Sequence, residues 1–182
     1  MEGLFPTVKG WANGYDQDEV EEFFADARAA YEGAESAAMS AEDVRRVAFD
    51  LVRGGYEPAA VDAALDRLEG AFVQRARADF IAVHGQEAWM EQVAERATTL
   101  YPRLVRPAGE RFAPPERGRG YAAAAVDELM DRLVGYFDTG HTLSAAELRH
   151  ASFPRAGRSR AYAEGPVDAF LDRAVDVLLA VE

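Results

Sequence analysis

The chain has 182 residues, 49% of them hydrophobic, no cysteine and a formal net charge of -12. That is enough apolar material for one ordinary domain or two small ones, and it excludes disulfides, cysteine metal sites and cysteine nucleophiles. The charge argues against general nucleic-acid binding, which depends on neutralising phosphates, and the longest apolar runs, such as Val177 to Val181, are too short to cross a bilayer.

The opening segment, Met1-Glu-Gly-Leu-Phe-Pro6, lacks the basic and then apolar stretch of a signal peptide, which points to a cytoplasmic protein. The charge is unevenly spread. Residues 1–43 hold eleven acids against Lys9 and Arg28, whereas residues 149–160 hold four arginines and no acid.

Four segments align without gaps: Gly14 to Phe24, Gly55 to Leu65, Gly120 to Met130, and Ala161 to Leu171. Each has a tyrosine, then a valine five residues on, then an acid, then a bulky apolar residue. The tyrosines are Tyr15, Tyr56, Tyr121 and Tyr162, and the valines are Val20, Val61, Val126 and Val167. Gly14, Gly55 and Gly120 precede three of the tyrosines, where a glycine offers backbone shapes that other residues resist. The tyrosine spacings are 41, 65 and 41, so the unit is a pair that occurs twice. The link within each pair also repeats: Ser40 to Phe49 resembles Ser144 to Phe153. Each copy therefore reads as one loop-helix unit that needs neighbours to bury its apolar face.

In chain order, Asp16 with Glu19 fits a capping box at the first helix. Ser40 caps a short linker helix. Pro58 opens the helix of copy two, which shows apolar residues at Val61, Ala64, Leu65, Leu68, Ala71 and Phe72 and continues to about Val83, stopping at His84-Gly85. A further helix over roughly Gln86–Tyr101 presents Trp89, Val93, Ala97 and Leu100, and Pro102 ends it. Residues 102–120, with four prolines and five arginines, read as a long loop. The helices of copies three and four follow from Val126 and Val167, with Ser144 capping the linker between them. No segment alternates with turn signals over any length, so the expected fold is all-α: a compact bundle of repeated loop-helix units, in two pseudo-symmetric halves, with no sizeable sheet. The halves are drawn at residues 1–101 (copies one and two plus the extra helix) and 102–182 (copies three and four).

Gly14-Tyr-Asp-Gln-Asp-Glu-Val-Glu-Glu-Phe-Phe24 resembles the bacterial DivIVA domain, whose pattern reads Phe, then Arg-Gly-Tyr-Asp, two variable residues, Val-Asp or Val-Asn, and Phe-Leu. The other three copies look like the same motif as it occurs in repeat proteins of high-GC Gram-positive bacteria. The resemblance covers about four fifths of the chain and implies a non-catalytic scaffold or adaptor of cell division or polar growth, acting through protein contacts. In that family a loop aromatic and an arginine touch curved membrane, and a long coiled coil follows. Here no coiled coil follows, and Ala12 and Asn13 precede Gly14, with Trp11 upstream.

The basic loops before copies three and four are the candidate contact for an anionic surface or a partner: Phe112, Arg117 and Arg119 in one, and Phe153, Arg155, Arg158 and Arg160 in the other. The alternative is that these arginines pair with acids on neighbouring helices while Phe112 and Phe153 anchor the core. Asp62 with Asp66, Asp127 with Asp131, and Asp168 with Asp172 share helix faces and could hold a cation or do acid-base chemistry, as a helical enzyme or small-molecule or metal-binding protein would use them. Recurrence in three copies favours a structural reason instead. His84, His141 and His150 lie in no ligand spacing, so no metal and no cofactor are expected. Gly157-Arg-Ser-Arg-Ala161 lacks the last glycine of a nucleophile elbow and no strand is expected before it. Trp11 and Trp89 read as core or interface anchors. The expected partners are proteins, with homo-oligomers open, nucleic acid excluded, and weak or no binding at a membrane surface.

Overall fold

The computed structural model describes residues 3–33 and 39–182; Met1 and Glu2, at the head of the opening segment, lie outside them. The chain is mostly helical, with two small antiparallel sheets, so the all-α expectation is corrected. It divides into two compact units, Met1–Asp79 and Phe80–Glu182.

The first unit runs β1 (Asn13–Tyr15), α1 (Gln17–Glu32), α2 (Ala41–Arg46), β2 (Leu51–Arg53) and α3 (Pro58–His84), the last reaching past the unit boundary. The second contains α4 (Gln86–Thr98), α5 (Tyr101–Leu104), β3 (Arg119–Ala122), α6 (Ala123–Thr139), α7 (Ala145–Arg149), β4 (Arg155–Gly157), a 3-10 turn at Arg158–Arg160, β5 (Ala161–Tyr162) and α8 (Glu164–Leu179). The extra helix α4 therefore groups with the second unit, not with copies one and two. The reason is its apolar face: Trp89, Val93 and the following Leu100 are buried in the second unit's core, and Trp89 Nε1 donates to the Ala180 carbonyl at 3.2 Å.

The helix ends largely follow the local chemistry. Ser40 and Ser144 both form full capping boxes, with Asp43 and Glu147 reaching back. Gly85 takes φ +88° and ψ 163° between α3 and α4, a backbone shape that only glycine adopts readily, and there α3 ends. Asp16 caps α1 by accepting from the Asp18 and Glu19 amides, but Glu19 does not close the box; its Oε2 accepts the Asp50 amide at 2.8 Å. Pro102 does not end the extra helix. Thr98 does, and Pro102 sits in the first turn of α5, where a missing N–H costs nothing.

The strands form because the loops of paired copies run antiparallel beside each other. In the first unit β1 pairs with β2, Gly14 opposite Val52. Tyr15 and Tyr56 then exchange both backbone hydrogen bonds, at 2.9 and 2.8 Å. In the second unit the sheet order is β4-β3-β5, with Gly120 opposite Ala156 and Tyr121 opposite Tyr162. Such segments of two to four residues are too short to show alternation, which hid them in the sequence.

The glycines before the tyrosines serve a purpose other than the one expected. None has positive φ. A Cβ on Gly14 would stand 2.3 Å from the Tyr56 carbonyl oxygen, one on Gly55 2.3 Å from that of Tyr15, and one on Gly120 2.1 Å from that of Tyr162. Close approach of two backbones, not an unusual backbone shape, requires them.

The two units repeat one internal geometry. Asp16 N donates to Asp50 O as Ala122 N donates to Pro154 O, and Glu57 N donates to Pro6 O as Ala163 N donates to Ala113 O. Val20, Val61, Val126 and Val167 are all fully buried beneath these loops. One difference lies in the loop between the second phenylalanine and the second tyrosine of each pair. Phe49 and Tyr56 are seven residues apart, Phe153 and Tyr162 nine. The three residues of the 3-10 turn at Arg158–Arg160 stand where the first unit turns at Gly54 alone, with φ +71°.

Candidate binding cleft of the second unit

The motif residues interlock across copies. The Tyr15 hydroxyl donates to Asp62 Oδ1 at 3.2 Å, and the Tyr56 hydroxyl donates to Glu21. In the second unit the Tyr162 hydroxyl donates to Asp127 at 3.0 Å, and Tyr121 faces Asp168. Each tyrosine thus meets the acid that follows the valine of the other copy. Aromatic packing is exchanged in the same way. Phe49 of the second loop packs on Tyr15 at 5.4 Å, and Phe5 of the first packs on Tyr56 at 5.5 Å. Phe153 meets Tyr121 at 5.2 Å and Phe112 meets Tyr162 at 5.3 Å. A phenylalanine seven to ten residues before every tyrosine is the trace that this exchange leaves in the sequence, and its unequal spacing hides it from a search for periodicity.

Phe112 and Phe153 are therefore structural. Phe112 is 3% exposed and also packs on Phe170, and Phe153 is half-buried. Neither is free to enter a lipid surface. Tyr56 and Tyr162 are buried, while Tyr15 and Tyr121 are half-buried. Burial is the leading cause that raises all four tyrosine pKa values; the facing carboxylates add to it, while the Leu4 and Arg111 amides oppose it at Tyr56 and Tyr162.

Of the paired aspartates, Asp62, Asp127, Asp131 and Asp168 are likewise engaged, while Asp172 is exposed. Asp127 is buried and accepts the Gly109 amide at 2.8 Å besides the tyrosine. The buried Arg111 donates to the Asp127 carbonyl at 2.8 Å and to the Asp131 carboxylate, tying the 105–118 loop to α6. Trp11, expected as an anchor, is 83% exposed, with the Arg53 guanidinium 5.0 Å from its ring centroid. A strand does precede Ser159, contrary to expectation, but a 3-10 turn and β5 follow it, not the helix of a nucleophile elbow.

The basic loops of copies three and four meet in one place. An open cleft of about 1280 Å³ lies between the β4–β5 segment, the first turns of α6 and the 108–114 loop. Arg119, Arg155, Arg158 and Arg160 line it, with Ala122, Ala123, Ala124 and Ala156 among the small side chains between them. Arg155 pairs with Glu164 at 2.8 Å and Arg132 with Glu147 at 2.6 Å. Arg119 donates to the Arg155 carbonyl at 2.8 Å. Arg117, Arg119, Arg158 and Arg160 are exposed and make no ion pair among the described residues; Arg117 does not line the cleft.

No known protein family, no curated protein and no solved structure matches the chain. The DivIVA-like reading of the four motifs rests on the motifs themselves. Among the described residues no helix is long and apolar enough to cross a membrane, and no group of three or more histidine, aspartate and glutamate side chains is placed to hold a metal ion.

Proposed function

We propose that the protein is a non-catalytic DivIVA-like scaffold or adaptor, in which each pair of repeats reproduces a two-copy module within one chain and protein partners are held at the surface. The observation that carries this reading is the exchanged tyrosine–acid contact. The most repeated polar residues of the sequence, Tyr15, Tyr56, Tyr121 and Tyr162 with Glu21, Asp62, Asp127 and Asp168, serve to join copies. A chain that repeats its joints and varies its loops has the organisation of a repeat scaffold. The rival reading, a helical enzyme or a small-molecule or metal-binding protein using the repeated aspartates, has less support, because Asp62, Asp127, Asp131 and Asp168 already accept hydroxyl, amide or guanidinium hydrogens. Cell division or polar growth is the setting the motif resemblance favours, in the cytoplasm and at most peripheral to the membrane.

The test is a pulldown from native lysate with the full chain as bait, beside an Arg155→Glu, Arg158→Glu, Arg160→Glu control of unchanged melting behaviour. Division or polarity proteins retained by the wild type and lost by the control support the reading. Turnover of a metabolite by the purified protein, abolished by Asp62→Asn or Asp168→Asn in a folded variant, overturns it.

A further inference from the structure

We infer that the cleft of the second unit is a docking site for an extended acidic segment of a partner protein, held by Arg158 and Arg160 on the 3-10 turn and by Arg119 across from them. The inference rests on the scaffold reading and gives that reading a ligand chemistry. Its first support is charge. Arg119, Arg158 and Arg160 line the cleft, are exposed, and form no ion pair among the described residues, in a chain whose net charge is -12. Acids are plentiful in this molecule, yet among the described residues these three cations are left without one. The acids that also line the cleft do not cancel them: Asp127 and Asp131 are committed to Arg111, which leaves Glu128 as the single opposing carboxylate of the lining without a cation partner among the described residues.

The second support is the difference between the units. The three-residue 3-10 turn that carries Arg158 and Arg160 stands where the first unit has Gly54 alone, so these arginines are not needed to close the repeat. The first unit closes the same loop with Arg53-Gly54-Gly55. The third support is shape. The cleft is open, the residues between the arginines are small (Ala156, Gly157 and Ser159, with Ala122 to Ala124), and β4 forms the edge of its sheet, so an extended backbone has room to lie beside it. The α6 N-terminus, which has no side-chain cap, faces the same space with Ala122 to Ala124 and adds a favourable dipole for carboxylates. Guanidinium forks suit carboxylates in bidentate geometry, and the exposed Arg119, Arg158 and Arg160 each offer one to the acids of an extended segment.

The probe is a short synthetic peptide of alternating glutamate and alanine, blocked at both ends, added to the isotope-labelled full-length protein at low salt. Amide shifts confined to Arg119–Ala124 and Arg155–Tyr162, lost at high salt, are expected. Arg158→Glu with Arg160→Glu should weaken binding about tenfold or more, with melting unchanged. Absence of shifts at low salt, or shifts that persist in the folded double variant, overturns the inference. Equal shifts from inorganic phosphate at matched concentration would make this a small-anion site and overturn it also. The same shifts appearing on raising protein concentration alone would place a second copy in the cleft and overturn it as well. In each of these failures, a pulldown in which the double variant keeps the division partners leaves the scaffold reading standing without the cleft.

Discussion

The Tyr162 hydroxyl lies 3.0 Å from both carboxylate oxygens of Asp127, although the two residues belong to different copies of the repeat. Both side chains are buried, and the Arg111 amide donates to the same hydroxyl at 3.2 Å. One hydroxyl therefore closes a circuit between the loop of copy three, the helix of copy three and the strand of copy four. Removing it leaves a buried carboxylate short of one donor. Tyr162→Phe should cost about 1–3 kcal/mol in chemical denaturation. In a double-mutant cycle with Asp127→Ala, the two losses should fall short of additivity by about 0.5 kcal/mol or more. Additive losses would show that the contact carries no energy.

The close approach of backbones makes a sharper prediction. Gly120→Ala places a methyl group 2.1 Å from the Tyr162 carbonyl oxygen, and Gly14→Ala one at 2.3 Å from that of Tyr56. The obstacle is backbone, so it cannot swing away. Each should lower stability by about 1–3 kcal/mol or more, as overpacking of a tight site does. Gly70→Ala, within α3 and with open space where its Cβ would stand, should be neutral or stabilising by up to about 1 kcal/mol. If Gly120→Ala melts with the wild type, the pairing of β3 with β5 is wrong.

The contrast between these glycines shows what the sequence could and could not disclose. The order of repeats, the buried valines, the serine caps and the Gly85 terminator are local or periodic features, and each is readable. The exchange of Phe5, Phe49, Phe112 and Phe153 between copies is a long-range relation among residues at unequal spacing, so no periodicity reveals it. The strands are held by main-chain contacts of Gly14, Gly55 and Gly120, whose absent side chains carry no pattern. Of the candidate site, the arginines are legible and the two phenylalanines misleading, because an aromatic beside arginines looks the same in sequence whether it points outward or into a core.

Alkaline titration tests the four joints together. Each motif tyrosine has a pKa raised in the folded state, burial first and the facing acid after it. A folded state that binds its protons more tightly than the unfolded chain loses stability as pH rises through and above the unfolded value, about 10. Ultraviolet absorbance should show these four tyrosines ionising above the ordinary range and together with unfolding. Ionisation of all seven tyrosines at the ordinary value, with circular dichroism unchanged, would contradict the buried hydroxyls.

The two tryptophans should report opposite environments. Trp89 is buried with its indole N–H bonded to Ala180, whereas Trp11 stands in solvent beside Arg53. Trp89→Phe should leave red-shifted emission that acrylamide quenches fully, and should cost about 1–3 kcal/mol through the lost hydrogen bond and packing. Trp11→Ala should remove that emission and leave stability within about 0.5 kcal/mol. A protected Trp11 signal in a monomeric sample would mean that the β1 loop packs differently.

Binding to anionic vesicles should be weak and salt-sensitive, or absent. The two loops that pair phenylalanine with arginine in the sequence do not present that pair in the fold: Phe112 and Phe153 are packed on Tyr162 and Tyr121, so no wedge remains to enter the headgroup region. What remains is Arg117, Arg119, Arg158 and Arg160, at about 1 kcal/mol each beside an anionic surface, against the repulsion of a chain of net charge -12. Three or four such contacts hold a protein only at low ionic strength, since the screening length falls to about 8 Å at physiological salt. Sedimentation with phosphatidylserine-rich vesicles should therefore pull down a small fraction at low salt and none at physiological salt, and Arg158→Glu with Arg160→Glu should abolish the former. Strong binding that survives both the substitution and the salt would require an apolar insertion elsewhere, and Trp11→Ala would then show whether the exposed indole supplies it.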